Sequence, residues 1–250
     1  MPLLSVSGLT KNFSGIVAND RIDFDLEEGE IHAVIGPNGA GKTTFVSQII
    51  GEQMSDAGTI KLGGVDVTKR GMSERADLGV SRCYQVSRVF LDMTAIDNVA
   101  LGVLARSDGH LRWWRPFRSD AKVYGEAEAF LAKMGLQARA DTEAGDLSHG
   151  ERKQLEFAMA LATNPRLILL DEPMAGLGPT ECKTLISLIG SFRGTKSVLL
   201  IEHDMEAVFA LADRITVLVN GKVIACGTTQ EVVENPLVQE AYLAASDGGH

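Results

Sequence analysis

The sequence predicts an α/β fold organised around a mostly parallel sheet, and three observations lead there. The runs Leu167-Ile168-Leu169-Leu170 and Val198-Leu199-Leu200-Ile201 are apolar without a break, as in strands covered on both faces. Between the apolar runs lie longer stretches with helical spacing, the alternation that yields parallel strands joined by helical crossovers. The chain has 250 residues, 45% hydrophobic and 23% charged, enough for one large domain with its own core. These values match globular averages and exclude disordered, fibrous and low-complexity classes.

In chain order, strand signals fall at 3–6, 22–26, 31–35, 80–84, 167–170, 198–201 and 215–219. Helical patterns occupy 42–51, 150–163, 179–192 and 205–212. The stretch 92–146 has few β-branched runs and helical patches at 95–105 and 121–134, so it reads as a helical subdomain inserted into the α/β core. Its middle, 106–120, holds Gly109, Pro116 and several arginines around Trp113 and Trp114, a composition of irregular backbone. Residues 220–250 read as a C-terminal extension whose end, from Ser246, is expected to fray.

Lys and Arg total 24 against 33 Asp and Glu, a net charge of −9. Such a balance argues against general binding to nucleic-acid phosphates. Cys83, Cys182 and Cys226 are odd in number and scattered, without CxxC or metal-ligand spacing, which fits a reducing, cytoplasmic setting. Residues 1–5 lack the basic head and apolar core of an export signal, and no apolar run reaches membrane length.

The strongest local motif is Gly36-Pro37-Asn38-Gly39-Ala40-Gly41-Lys42-Thr43, which follows the apolar run 31–35 and opens a helix. This is GxxxxGK[ST] in its strand–loop–helix context. Glycines let backbone N–H groups converge on an anion, the helix start adds favourable dipole, Lys42 supplies charge for β- and γ-phosphates, and Thr43 offers a hydroxyl to Mg²⁺. A second metal anchor is available at Asp171-Glu172, behind four aliphatic residues. Side chains alternate along a strand, so Asp171 is expected toward the metal and Glu172 toward an attacking water. Leu147-Ser148-His149-Gly150-Glu151 reads as a helix start, with Ser148 as cap and Glu151 completing a capping box.

Taken in order, the loop at 36–43, Gln85, the 147–151 segment, Asp171-Glu172 and His203 resemble the nucleotide-binding subunit of an ABC transporter, over residues 3 to about 243. The resemblance implies one domain of 1–250: a P-loop NTPase (RecA-like) core with a mostly parallel sheet, an N-terminal antiparallel β subdomain and an inserted α-helical subdomain at 92–146. It implies ATP and Mg²⁺, with 36–43 and Thr44 on the nucleotide and Thr43, Gln85 and Asp171 around the metal. It implies a head-to-tail ATPase dimer, in which Ser148 and Gly150 bind the γ-phosphate held by the other copy. Gln85 is similar to the residue that couples nucleotide to the membrane partner, His203 to the switch histidine, and Glu172 to the carboxylate that polarises water. Phe13 resembles the aromatic that stacks on adenine; packing inward at a strand end is its other reading.

Three positions depart from the common family pattern. His149 and Glu151 stand where Gly and Gln are usual, and Gly178 replaces an Asp that follows the catalytic strand in many members. Within the family, Leu170-Asp171-Glu172-Pro173-Met174-Ala175-Gly176-Leu177, Ile201-Glu202-His203-Asp204-Met205, Asn235-Pro236-Leu237-Val238-Gln239-Glu240-Ala241-Tyr242-Leu243 and Trp113-Trp114-Arg115-Pro116-Phe117 resemble the ATPase of branched-chain amino-acid importers and their amide and urea relatives. That subfamily implies transmembrane permease subunits, a second ATPase of the same or a related chain, an external solute-binding protein, no nucleic acid, and a peripheral place on the cytoplasmic face of a bacterial inner membrane. The Arg112, Arg115 and Arg118 side chains beside the tryptophans fit either a solvated loop, its tryptophans packed on the helical subdomain, or contact with the membrane subunit or the inner leaflet near it. A lipid or lipopolysaccharide export ATPase and a soluble ABC ATPase are the competing readings. A GTPase is disfavoured by the lack of an Asn-Lys-x-Asp motif.

Overall fold

The computed structural model describes residues 1–83, 89–106 and 120–247, with side chains up to Ala241. Its centre is a six-stranded sheet made from β3 (Ile31–Ile35), β6 (Val80–Cys83), β7 (Leu167–Asp171), β8 (Ser197–Ile201), β9 (Arg214–Val219) and β10 (Lys222–Gly227). The order is β10-β9-β3-β8-β7-β6, parallel except for the β9–β10 edge pair. The unbroken apolar runs have a direct cause in the two faces of this sheet. Ile168 and Leu170 of β7, and Val198 and Leu200 of β8, enter one core, while Leu167, Leu169, Leu199 and Ile201 enter a second.

The second core is closed by an antiparallel sheet of order β2-β1-β4-β5, comprising β1 (Leu4–Phe13), β2 (Ile16–Leu26), β4 (Ala57–Leu62) and β5 (Val65–Asp66). Helix α1 (Lys42–Ile50) lies in the same core, burying Phe45, Val46, Ile49 and Ile50. The first core is covered by α3 (Ala95–Ala105), α4 (Ala121–Lys133) and α5 (His149–Ala162), which pack on one another, and by α6 (Pro179–Gly190) and α7 (Met205–Leu211). Thr94 caps α3 and Asp120 caps α4, each through its side-chain oxygen. Among the described residues, the other α-helices are α2 (Met72–Asp77), α8 (Thr229–Val233) and α9 (Pro236–Asp247).

Strand and helix positions from periodicity agree with the core elements, and the differences fall at the margins. β1 and β2 extend well beyond 3–6 and 22–26, and β4 and β5 carry no apolar run that marks them. These strands expose one side, so alternate positions are polar and the signal per residue is weak. β10 lies within the expected C-terminal extension yet is an edge strand of the central sheet. Helix α9 continues through Asp247, and the rest of the tail expected to fray, 248–250, lies outside the described residues. Gln85, Tyr84 and the insert with Arg112, Trp113, Trp114, Arg115, Phe117 and Arg118 lie outside the described residues.

Candidate functional site

β3 ends at Ile35, and the chain turns into the loop 36–41 before α1 begins. Two glycines are demanded by what crowds the loop. A Cβ on Gly36 would lie 2.0 Å from the Leu218 carbonyl oxygen, and one on Gly41 would lie 2.4 Å from that of Ala18, with φ at +151° and +102°. The loop is thereby pressed against β2 and β9. Gly41 caps α1 without a side-chain bond, and no acidic residue occupies the first turn, so the helix start offers its donors to an outside anion. Lys42 folds back over the loop, its Nζ donating to the carbonyls of Gly36 at 2.7 Å and Pro37 at 3.0 Å. Burial lowers the ammonium pKa, and the charges of Glu172 and Asp171 oppose that shift.

Asp171 is the last residue of β7 and is buried. Its Oδ2 accepts a 2.6 Å bond from Arg82 of β6, whose other arm reaches Glu52 at 2.9 Å. Glu172 lies off the strand in a left-handed conformation, φ +48°, with its N–H donated to the Ile201 carbonyl. The separation of the two acids is therefore set by a turn rather than by strand alternation alone. His203, two residues beyond β8, has an exposed ring whose Nδ1 is 3.8 Å from Glu172 Oε1 and 3.6 Å from Glu202 Oε2. Parallel pairing of β7 with β8, with Asp171 opposite Ile201, brings these residues together at the carboxyl ends of the two strands.

Phe13, at the tip of the β1–β2 hairpin, is 43% exposed, which overturns the inward-packing alternative. It lines a cavity of about 430 Å³ with Thr43, Thr44, Ser47 and Arg82. The aromatic face and the hydroxyls after the glycine loop thus share one space. Ser148 and Gly150 belong elsewhere. Ser148 caps α5, accepting the Glu151 N–H at 3.2 Å while its own N–H donates to Glu151 Oε2 at 2.9 Å. The capping box expected from sequence is present, and the Ser148 N–H bond is the main cause holding the Glu151 carboxyl below its usual range, with Arg139 at 2.9 Å adding to it. Ser148 and Gly150 line a separate cavity of about 800 Å³ against α4 and α6. The structure does not bring them to Lys42 and Thr43.

Two contributors escaped the sequence reading. Arg82 is a lone charge within the β6 run, a signal that was available, but its partner Asp171 is 89 positions away. Glu202 is buried behind His203 and was visible only as an acid after an apolar strand. Thr43 and Asp171 offer hard oxygen donors, the chemistry a Mg²⁺ ion takes alongside phosphate oxygens and its own waters. They fit that ion.

A family model described as ABC transporter matches residues 19–175, and one described as Branched-chain amino acid ATP-binding cassette transporter matches residues 222–243. The chain is 37% identical, over 97% of its length and 98% of the relative's, to the high-affinity branched-chain amino acid transport ATP-binding protein LivG of Salmonella typhimurium. It is 36% identical to the lipopolysaccharide export system ATP-binding protein LptB of Acidithiobacillus ferridurans, over 96% of each chain. Among solved structures, the ADP conformation of MJ1267, an ATP-binding cassette of an ABC transporter, superimposes with a TM-score of 0.85 at 28% identity, covering 97% of this chain and 99% of that one.

Proposed function

The chain belongs to the ABC transporter ATP-binding family, and from that premise we propose that it is the ATP-hydrolysing, energy-coupling subunit of a membrane importer for branched-chain or related amino acids. The observation that carries the hydrolytic part is the convergence of Lys42, Asp171, Glu172 and His203 at one end of the parallel sheet. The cargo class rests on the C-terminal match over 222–243 and on the likeness to LivG.

Adenine stacks on Phe13 while the loop N–H groups of 36–43, with Thr44, wrap the phosphates. Lys42 exchanges the carbonyls of Gly36 and Pro37 for β- and γ-phosphate oxygens, gaining a charged acceptor for two neutral ones. Thr43, Asp171 and Gln85 would hold Mg²⁺, which neutralises phosphate charge. Glu172 orients the attacking water and accepts its proton, while His203 stands beside Glu172 to steady the developing charge. The γ-phosphorus bond to the leaving ADP oxygen breaks as the bond to water oxygen forms. Ser148 and Gly150, in their separate cavity, meet the phosphates of a second ATPase subunit, so closure of two subunits completes each site. Opening and closing of that pair drives transmembrane permease subunits served by an external solute-binding protein, with this chain peripheral on the cytoplasmic face. Among the described residues, no helix is long and apolar enough to cross a membrane.

Glu172→Gln tests the chemistry. It is expected to bind ATP normally, lose turnover by about 100-fold or more and accumulate as a dimer; turnover at the unaltered rate removes Glu172 from its role. Capture of the chain from membranes with two multi-span permeases and a second small ATPase would support the amino-acid importer. Recovery with lipopolysaccharide export proteins would favour the reading suggested by the likeness to LptB.

A further inference from the structure

We propose that Glu202 is a positioning residue that sets the spacing of Glu172 and His203, an inference that rests on the hydrolytic reading above. Glu202 directly follows β8, and its side chain has no exposed surface. Its Oε1 accepts the Met174 N–H at 3.0 Å; its Oε2 accepts the N–H groups of His203 at 2.8 Å and Asp204 at 3.2 Å. Met174 is in the loop leaving β7, two residues beyond Glu172, whereas His203 and Asp204 are in the loop leaving β8. One carboxylate therefore fastens both loops, each through a different oxygen.

The arrangement matters because backbone pairing ends just before the reacting groups. Asp171 pairs with Ile201, and Glu172 N–H reaches the Ile201 carbonyl, but β8 stops there. Glu172 holds φ +48°, a conformation that a side-chain-bearing residue keeps only when its surroundings impose it. His203 has an exposed ring, so its place depends on the main chain beneath it. Charge-assisted bonds from a carboxylate to backbone N–H groups are short and directional, which suits Glu202 to hold both main-chain segments. His203 Nδ1 then stands 3.6 Å from Glu202 Oε2 and 3.8 Å from Glu172 Oε1, between the anchor and the hydrolytic carboxylate. Glu202 lies behind that pair and acts through it.

Glu202→Gln keeps the shape of the side chain but turns one acceptor oxygen into an NH₂ group that faces a backbone donor, so one of the two loops comes loose. A misplacement near 1 Å costs about 100-fold in rate. In the full-length chain, kcat for ATP is expected to fall about 100-fold, while KM and the affinity for a fluorescent ATP analogue stay within about twofold. An unchanged kcat, or a loss confined to affinity, overturns the proposal. The double variant with Glu172→Gln should retain the residual rate of Glu172→Gln alone; a further drop of the same factor would mean that Glu202 acts independently of Glu172, and would overturn it. Should Glu172→Gln itself hydrolyse ATP normally, the hydrolytic reading fails, a result separate from this one. If Glu202→Gln does not fold, hydrogen exchange in the unaltered chain decides: amides of Met174 and His203 protected like those of β7 and β8 support the clamp, and exchange at open-loop rates refutes it.

Discussion

Phe13 illustrates what a single residue owes to its position. The sequence around it, Lys11-Asn12-Phe13, favours stacking but leaves inward packing open. The hairpin tip leaves the ring 43% exposed at a cavity shared with Thr43 and Thr44, and Lys11 Nζ lies 5.5 Å from its centroid. A π-face in that place suits a planar base, and one stacked base is worth about 1–3 kcal/mol. Phe13→Ala is therefore expected to weaken ATP affinity by about tenfold, with kcat unchanged, as read by titration with a fluorescent nucleotide and by steady-state rates. Unaltered affinity would return Phe13 to a structural part. Glu172 makes a related point: its acid and its place after an apolar strand are legible, but the left-handed turn that aims it depends on Ile201, in another strand.

At the scale of elements, α1 carries Lys42, proposed above to bind phosphate, at its start, and its far end is secured by a buried arginine. Arg75, from α2, is 1% exposed and donates to the carbonyls of Gln48 and Ile49 through Nη1, to Arg70 through Nε and to Thr68 through Nη2. The last carbonyls of a helix lack partners within it, and a cation there also suits the dipole. Burial draws the guanidinium pKa down to about 10, still charged at neutral pH, and the Asp66 and Glu74 charges favour that charge. Arg75→Ala should cost about 3 kcal/mol, because the carbonyls it now satisfies stay buried. Chemical denaturation would show the loss, and nucleotide affinity should fall with it, since α1 presents Lys42 and Thr43. A change below about 0.5 kcal/mol would show that the helix end does not need this partner. Sequence patterning marked α1 clearly but not α2, whose six residues are too few for a periodic signal.

For the whole molecule, the joint between the two sheets has its own pH dependence. His32 of β3 is 1% exposed, with its ring 4.5 Å from that of Phe24 in β2 and its Nε2 2.8 Å from Thr216 Oγ1 in β9. Burial pushes its pKa down to about 4; Glu30 and Asp25 partly oppose this, and Arg214 reinforces it. In the unfolded chain the imidazole takes up a proton near its ordinary value of 6.5, so there the unfolded state binds more protons. Stability is then fully present above about pH 6.5 and declines as pH falls toward about 4, by about 3 kcal/mol over that window. Thermal unfolding followed from about pH 7 to about pH 4.5 should show this decline, and His32→Gln should flatten it. An equal slope in both proteins would place the effect elsewhere.

The sequence by itself determined the family and the central architecture. Motifs such as 36–43 and Asp171-Glu172 are local, and a strand buried on both faces is apolar at every position, so both are written over a few consecutive residues. The tertiary structure decided the half-exposed antiparallel sheet, the edge strand β10, the Arg82–Asp171 pair and the Glu202 anchor. The β1–β4 pairing, the Arg82–Asp171 pair and the Glu202–Met174 bond join residues distant in the chain, and neither composition nor periodicity records which distant segments meet.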